Sequence, residues 1–276
     1  MAISEKIQLL GKDVYKGIPN ELTLTAIPTA SELDYVGAED FDEVMLTKIL
    51  PKCIEEDIDP KDLLEIDYLW VLRCLRFINY GPYTKVGLIV CQDCREISRG
   101  EYKVNLETVD VKPLPEGFVN SITISKDEFI DFNKDITFQL PTIREVQNAR
   151  KDQQFKDAFG NTNEAFARLC YMIKSIGGLP CSPIDVRMEL QKNLSSADYL
   201  ILKGRATELE DYGLRAYGSI VCPKCGSHEA VFRIFINESF FRPDLESLRE
   251  WKNSRDRREA EELSRTKTGS MRQNTR

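Results

Sequence analysis

At 276 residues, with 42% hydrophobic and 30% charged side chains, the chain can bury a sizeable core as one elaborated domain or two small ones. A net charge of −7 and a pI near 5.1 argue against a broad basic face for nucleic acid. No apolar run approaches a membrane span, and residues 1–6 lack the apolar core of a signal peptide, so a cytoplasmic site of synthesis is expected.

Residues 1–38 contain Ile18-Pro19 and Ile27-Pro28 and little helical periodicity, which predicts an extended, strand-containing N-terminal arm of the kind that grips a neighbour. From Glu39 the pattern changes: Phe41, Val44, Met45 and Ile49 recur at helical spacing, with Pro51 near the stop. Asp59 and Pro60 then form a helix start, with the aspartate as cap and the proline in the first turn. The helix they open runs to about Asn79 and is apolar almost all round from Tyr68 to Ile78. Asp67, Arg73 and Arg76 interrupt it, and buried charges require partners. Those partners are either an internal salt bridge or another subunit.

Residues 80–83 turn the chain into an apolar run, 86–90, that ends at Cys91 and Cys94. Alternating segments at 101–106, 109–111, 122–124 and 138–140 read as strands of one antiparallel sheet. Residues 142–213 are predicted helical. Thr142 with Glu145, and Ser182 with Asp185, have capping-box spacing, while Phe166, Leu169, Cys170 and Ile173 form a stripe closed by Gly177-Gly178. A second apolar run, 217–221, leads to Cys222 and Cys225, followed by a strand over 230–236. Phe240 and Phe241 either close the core or mark a contact site. From Asp244 the chain is highly charged and helical in pattern, and from Ser264 it has almost no apolar content and ends basic.

The two CxxC pairs carry the strongest chemical signal. Cys91, Cys94, Cys222 and Cys225 supply four thiolates on two strand-like approaches, the ligand set of one structural Zn2+ per chain in a zinc ribbon. A redox pair would place its first cysteine at a helix start, and the residues after Cys225 read as strand. The nucleobase deaminases need an upstream His-x-Glu, and the sequence has none. The other cysteines receive no role: Cys74 and Cys170 fall in apolar helical patterns as buried thiols, and Cys53 and Cys181 lie near helix ends. His228, the single histidine, rules out a His-rich catalytic site, and no phosphate-binding glycine loop is present. No catalytic residue or bound organic cofactor is expected.

The expected fold class is α+β: a small antiparallel zinc-ribbon sheet with an inserted helical module, the N-terminal arm and a charged helical C-terminal tail. The boundaries are 1–38 for the arm, 39–141 for helices and the first ribbon half, 142–214 for the helical module, 215–243 for the second ribbon half, and 244–276 for the tail.

Taken in order, residues 46–53, the helix from Asp67 to Arg76 ending in Asn79-Tyr80-Gly81, the first knuckle, the inserted helices, the second knuckle and Ser239-Phe240-Phe241 resemble the zinc-ribbon baseplate family of T4-like contractile-tailed bacteriophages, which includes baseplate hub subunits and hub assembly proteins. The resemblance covers about residues 18–243, and this chain departs from the smaller members by its long charged C-terminus. It implies a non-enzymatic structural or assembly protein in the virion tail, or in the host cytoplasm during assembly. Its partners would be other baseplate and tail proteins in a hetero-oligomeric assembly, held by the arm and the tail. Siphophage-like tail assembly chaperones are a neighbouring reading. The competing functions are a zinc-ribbon protein that binds nucleic acid, through Arg95, Arg99, Lys224 and Arg233, and a dithiol redox protein.

Overall fold

The computed structural model describes residues 4–156 and 162–241, together with Arg249 and Asn253. The expected charged tail, 244–276, therefore lies almost wholly outside the described residues. In chain order the strands are β1 (Ser4–Gln8), β2 (Glu21–Thr25), β3 (Tyr83–Cys91), β4 (Ile97–Asn105), β5 (Val109–Lys112), β6 (Ile122–Ile124), β7 (Ile136–Phe138), β8 (Ile173–Ile176), β9 (Leu179–Pro180), β10 (Gly213–Ile220) and β11 (Ala230–Arg233). The helices are α1 (Thr29–Tyr35), α2 (Phe41–Val44), α3 (Leu50–Cys53), α4 (Glu65–Tyr80), α5 (Ile143–Lys151), α6 (Glu164–Met172), α7 (Pro183–Asn193) and α8 (Ser196–Glu210). Helices beside antiparallel sheets make this an α+β protein. The chain divides into two compact units, one of Met1–Arg73 with Val111–Arg215 and one of Cys74–Asp110 with Ala216–Arg276.

In the first unit, the residues predicted as an extended arm fold back on themselves. β1 and β2 form an antiparallel hairpin in which Ser4 faces Thr25 and Gln8 faces Glu21. Leu22 and Leu24 alternate inward and are wholly buried, and Leu24 bridges to Ile54 beyond α3. Pro28 then leads into α1, whose last residue, Tyr35, is also buried. The strands expected in this segment are present, and burial of Ile7, Leu9, Leu22, Leu24 and Ile27 is the physical reason they pair as a hairpin: an apolar face this complete is more stable covered than exposed to water.

The predicted helix over 41–49 exists but changes pitch. Asp40 caps α2 by accepting from the Glu43 amide at 2.9 Å, and a π-helical stretch, Met45–Ile49, leads into α3. The wide turn falls just before Pro51, which has no N–H to donate and crowds the carbonyl four residues earlier. Asp59 caps a single turn, Pro60–Asp62, rather than the long helix. Leu63 accepts from the Ile143 amide at 2.8 Å and Leu64 bridges to Thr142, so the chain straightens there before α4 begins at Glu65.

Asp67, at the start of α4, is buried with its carboxylate among donors of the same unit. It accepts from the amides of Leu10 at 2.6 Å and Gly11 at 3.2 Å and from the Tyr15 hydroxyl at 2.6 Å. Burial pushes its pKa above the ordinary aspartate value, against the pull of these hydrogen bonds. A Cβ on Gly11 would lie 2.9 Å from the Asp67 Oδ2, so the close approach requires glycine.

Strands β6 and β7 were expected in the ribbon sheet and instead pair with β8 and β9, in the order β6-β7-β8-β9. Their inward residues Ile124, Ile136 and Phe138 share a core with Leu169, Met172 and Leu190 from α6 and α7. The stripe expected to remain helical through Ile173 ends at Met172, and residues 173–176 form β8. Gly177 and Gly178, at φ 61° and 77°, form the two-residue turn of a β8–β9 hairpin and not a helix C-cap. The Thr142/Glu145 and Ser182/Asp185 capping boxes both form. Asp198, in the first turn of α8, ties residues 130–132 to that helix by accepting from the amides of Ile130 at 2.6 Å, Asp131 at 3.1 Å and Phe132 at 3.0 Å.

In the second unit, Arg76 is wholly buried, and its guanidinium donates to the carbonyls of Phe240 at 2.7 Å, Gly81 at 2.6 Å and Tyr83 at 2.7 Å. Phe240 and Phe241 are both buried and meet edge-on at 5.4 Å. The aromatic pair closes the core, and Arg76 fastens the main chain beside it to the end of α4.

Candidate metal centre

Two hairpins build the site. β3 runs into Cys91 and returns as β4 after Cys94; β10 runs to Cys222 and returns as β11 after Cys225. They lie side by side in a sheet of order β4-β3-β11-β10-β5, with Cys91 opposite Ala230 and Ile89 opposite Phe232. Both turns therefore fall at one end of the sheet.

Each turn closes in the same way. The Cys91 amide donates to the Glu96 carbonyl at 3.0 Å, and the Cys222 amide to the Ser227 carbonyl at 2.7 Å. The residue after each second cysteine is left-handed: Arg95 at φ 56° and Gly226 at φ 72°. Glycine reaches that conformation without penalty and arginine does not, so the first turn carries strain that the second avoids. Cross-links join the turns. The Gln92 amide donates to the Glu229 carbonyl at 3.1 Å, the Ser227 hydroxyl donates to Asp93, and Lys224 pairs with Glu96 at 2.8 Å.

The four sulfurs lie within 4.8 Å of one another. Cys91 and Cys225 approach to 3.7 Å, Cys94 and Cys222 to 3.9 Å. A tetrahedral tetrathiolate site with metal–sulfur bonds of about 2.3 Å has sulfur–sulfur edges of about 3.8 Å, so the cluster fits a single metal ion. Cys91 and Cys222 are buried, and Cys94 and Cys225 face solvent. The backbone N–H groups of Cys225 and Lys224 draw the Cys222 thiol down to about 7. The Ser227 amide pulls Cys225 in the same direction, but desolvation and the crowding of Cys222, Cys94 and Cys91 push it up to about 12. A cation among the sulfurs relieves that crowding.

The structure thus brings together all four cysteines singled out by spacing. Of the others, Cys53, Cys74 and Cys170 are buried, and burial pushes the Cys53 thiol up to about 11 and that of Cys170 to about 12. Cys181 is half-buried, and His228 is exposed beside the second turn. Of the four basic residues weighed for nucleic acid, Lys224 is committed to Glu96, and Arg233 lies over the rings of Phe235 at 4.8 Å and Tyr217 at 5.8 Å. Spacing did not reveal the strain at Arg95. Its only sequence signal is position, immediately after the second cysteine where the other turn has glycine. Among the described residues, no helix is long and apolar enough to cross a membrane. Comparison with protein-family models, with curated proteins and with solved structures finds no match.

Proposed function

We propose that this is a non-enzymatic structural or assembly protein of a bacteriophage tail baseplate, in which one Zn2+ held by Cys91, Cys94, Cys222 and Cys225 staples the two ribbon hairpins together. The observation that carries the structural role of the metal is the all-cysteine cluster with tetrahedral edges: four protein ligands leave no open position for substrate or water. Zinc fits better than redox-active alternatives because two CxxC turns on a ribbon are its common structural setting. Bound there, zinc supplies a cross-link between segments far apart in sequence, and its binding free energy becomes folding free energy. The placement in a phage tail is supported by the ordered motif set described above, from residues 46–53 to Ser239-Phe240-Phe241.

Two measurements test the halves of this reading separately. Metal analysis of purified protein should return one zinc per chain, and Cys91→Ser or Cys222→Ser should abolish it and melt the ribbon. A metal-free protein with unchanged circular dichroism would overturn the staple. Quantitative mass spectrometry of purified tails, calibrated on a known tail subunit, should give a fixed integer ratio for a built-in subunit, or presence only in assembly intermediates for an assembly factor. Absence from both would reject the phage-tail role.

A further inference from the structure

Beside the metal-bearing end, the ribbon sheet is only partly zipped. β3 pairs with β4 from Tyr83 to Val90, but its ladder with β11 covers Ile89–Cys91 alone. β3 and the chain after β11 part there, leaving a groove of about 680 Å³ lined by residues 84–88 on one side and 231–235 on the other. The register of β3 against β4 also slips between Val86 and Leu88, the irregularity a bulge produces at Gly87. Leu88, Tyr217 and Phe235 line the groove with 44%, 53% and 60% of their surface exposed, large apolar groups beside the point where the β3–β11 ladder ends.

The charges along this groove have one sign. Its charged lining residues are Lys85 and Arg233, in a chain whose net charge is −7. Lys85 is paired with Glu101 at 3.2 Å, so Arg233 is the cation that matters here. Among the described residues no carboxylate pairs with Arg233; its guanidinium carbon lies 4.8 Å from the Phe235 ring centre and 5.8 Å from that of Tyr217, and cation–π attraction to the two rings positions the charge. Strand edges that end in solvent are normally blunted or covered, and an apolar edge flanked by a positioned cation is suited to taking an extended peptide.

We propose that this groove docks an extended segment of a partner protein, which adds as a strand along residues 84–88 of β3. Apolar side chains of the segment cover Leu88 and Phe235, and a carboxylate pairs with Arg233. Nucleic acid is the poorer occupant: the feature on offer is a strand edge, which reads main chain, and the protein as a whole repels phosphate. The proposal goes beyond the tail role and depends on neither the metal nor that role.

The test uses the full-length, zinc-loaded protein and a fluorescein-labelled peptide of alternating glutamate and valine, read by fluorescence anisotropy near physiological salt. Saturable binding is expected, weakened about tenfold or more when the central valine is replaced by proline, which cannot join a ladder. Arg233→Glu should weaken it by a similar factor and create binding to the matching lysine–valine peptide. Arg233 is exposed, so this variant should keep its circular dichroism and zinc content, which are checked in parallel. No saturable binding, equal binding of the acidic and basic peptides to the wild type, or indifference to Arg233→Glu would each overturn the proposal. A photo-cross-linking residue in place of Leu88 identifies the occupant: an adduct with the added peptide supports the proposal. A cross-link to the chain's own residues after 241, or to a second copy, would reject it in favour of those occupants.

Discussion

Gly218→Ala is the sharpest probe of packing within the second ribbon hairpin. Gly218 faces Phe232 across the β10–β11 ladder, and the phenyl ring lies over the bare glycine backbone. A Cβ at position 218 would sit 2.4 Å from Phe232 Cζ, 2.8 Å from Cε1 and 3.0 Å from Cε2, all well inside van der Waals contact. The ring cannot swing out freely, because Phe232 is only 1% exposed. One added methyl group therefore overpacks a closed site, and the expected loss is about 1–3 kcal/mol. Propensity alone acts the other way, since alanine in a strand interior recovers some of glycine's entropy cost, by roughly 0.5–1 kcal/mol. The measurement is urea unfolding of zinc-loaded protein, following tryptophan fluorescence and circular dichroism together so that separate unfolding of the two units is seen. Phe232→Leu removes the ring at a cost on the order of 1 kcal/mol and opens room for the methyl. The double variant should then be more stable than the sum of the single losses, by a coupling of about 0.5–3 kcal/mol. A single variant within experimental error of wild type, or additive losses in the pair, would refute the close-packing argument.

Two further expectations follow from other sites. Arg95→Gly relieves the left-handed strain in the first turn and should stabilise zinc-loaded protein by about 0.5–1 kcal/mol, whereas Gly226→Arg in the second turn should destabilise it by a similar amount; equal effects of the same sign would remove the argument. Burial opposes ionisation of Asp198, but the amides of Ile130, Asp131 and Phe132 and the Ser195 hydroxyl outweigh it and hold the carboxyl below its ordinary value. With the folded pKa lowered, the stability it contributes is present above the unfolded value of 3.8 and is lost as pH falls through the folded one. Asp198→Asn should accordingly be less stable than wild type at pH 7 and converge with it in acid, as read from denaturant midpoints across pH; a constant gap at all pH values would contradict the assignment.

The features that the sequence alone determined are those whose interactions close within a few residues. Each CxxC turn brings two sulfurs together by its own local geometry, so the ligands were legible from spacing, as were the Thr142/Glu145 and Ser182/Asp185 caps, whose donors and acceptors sit three residues apart. The α+β character followed from the same local periodicities. What tertiary structure decided is everything set by pairing at long range. Ile173 continues a helical stripe, yet residues 173–176 become a strand because β7 is there to pair with them. Leu22 and Leu24 could line an extended arm or a buried hairpin, and contact with Ile54 selects the hairpin. Strands β6 and β7 alternate as well as β4 does, but their inward faces match the helices of the first unit and not the ribbon. Arg76 and Phe240, 164 residues apart, become partners only when α4 and the segment after β11 meet. Alternation and helical spacing tell a residue which side of its own element is apolar. They carry no record of which other element will cover that side, and that choice is made by packing.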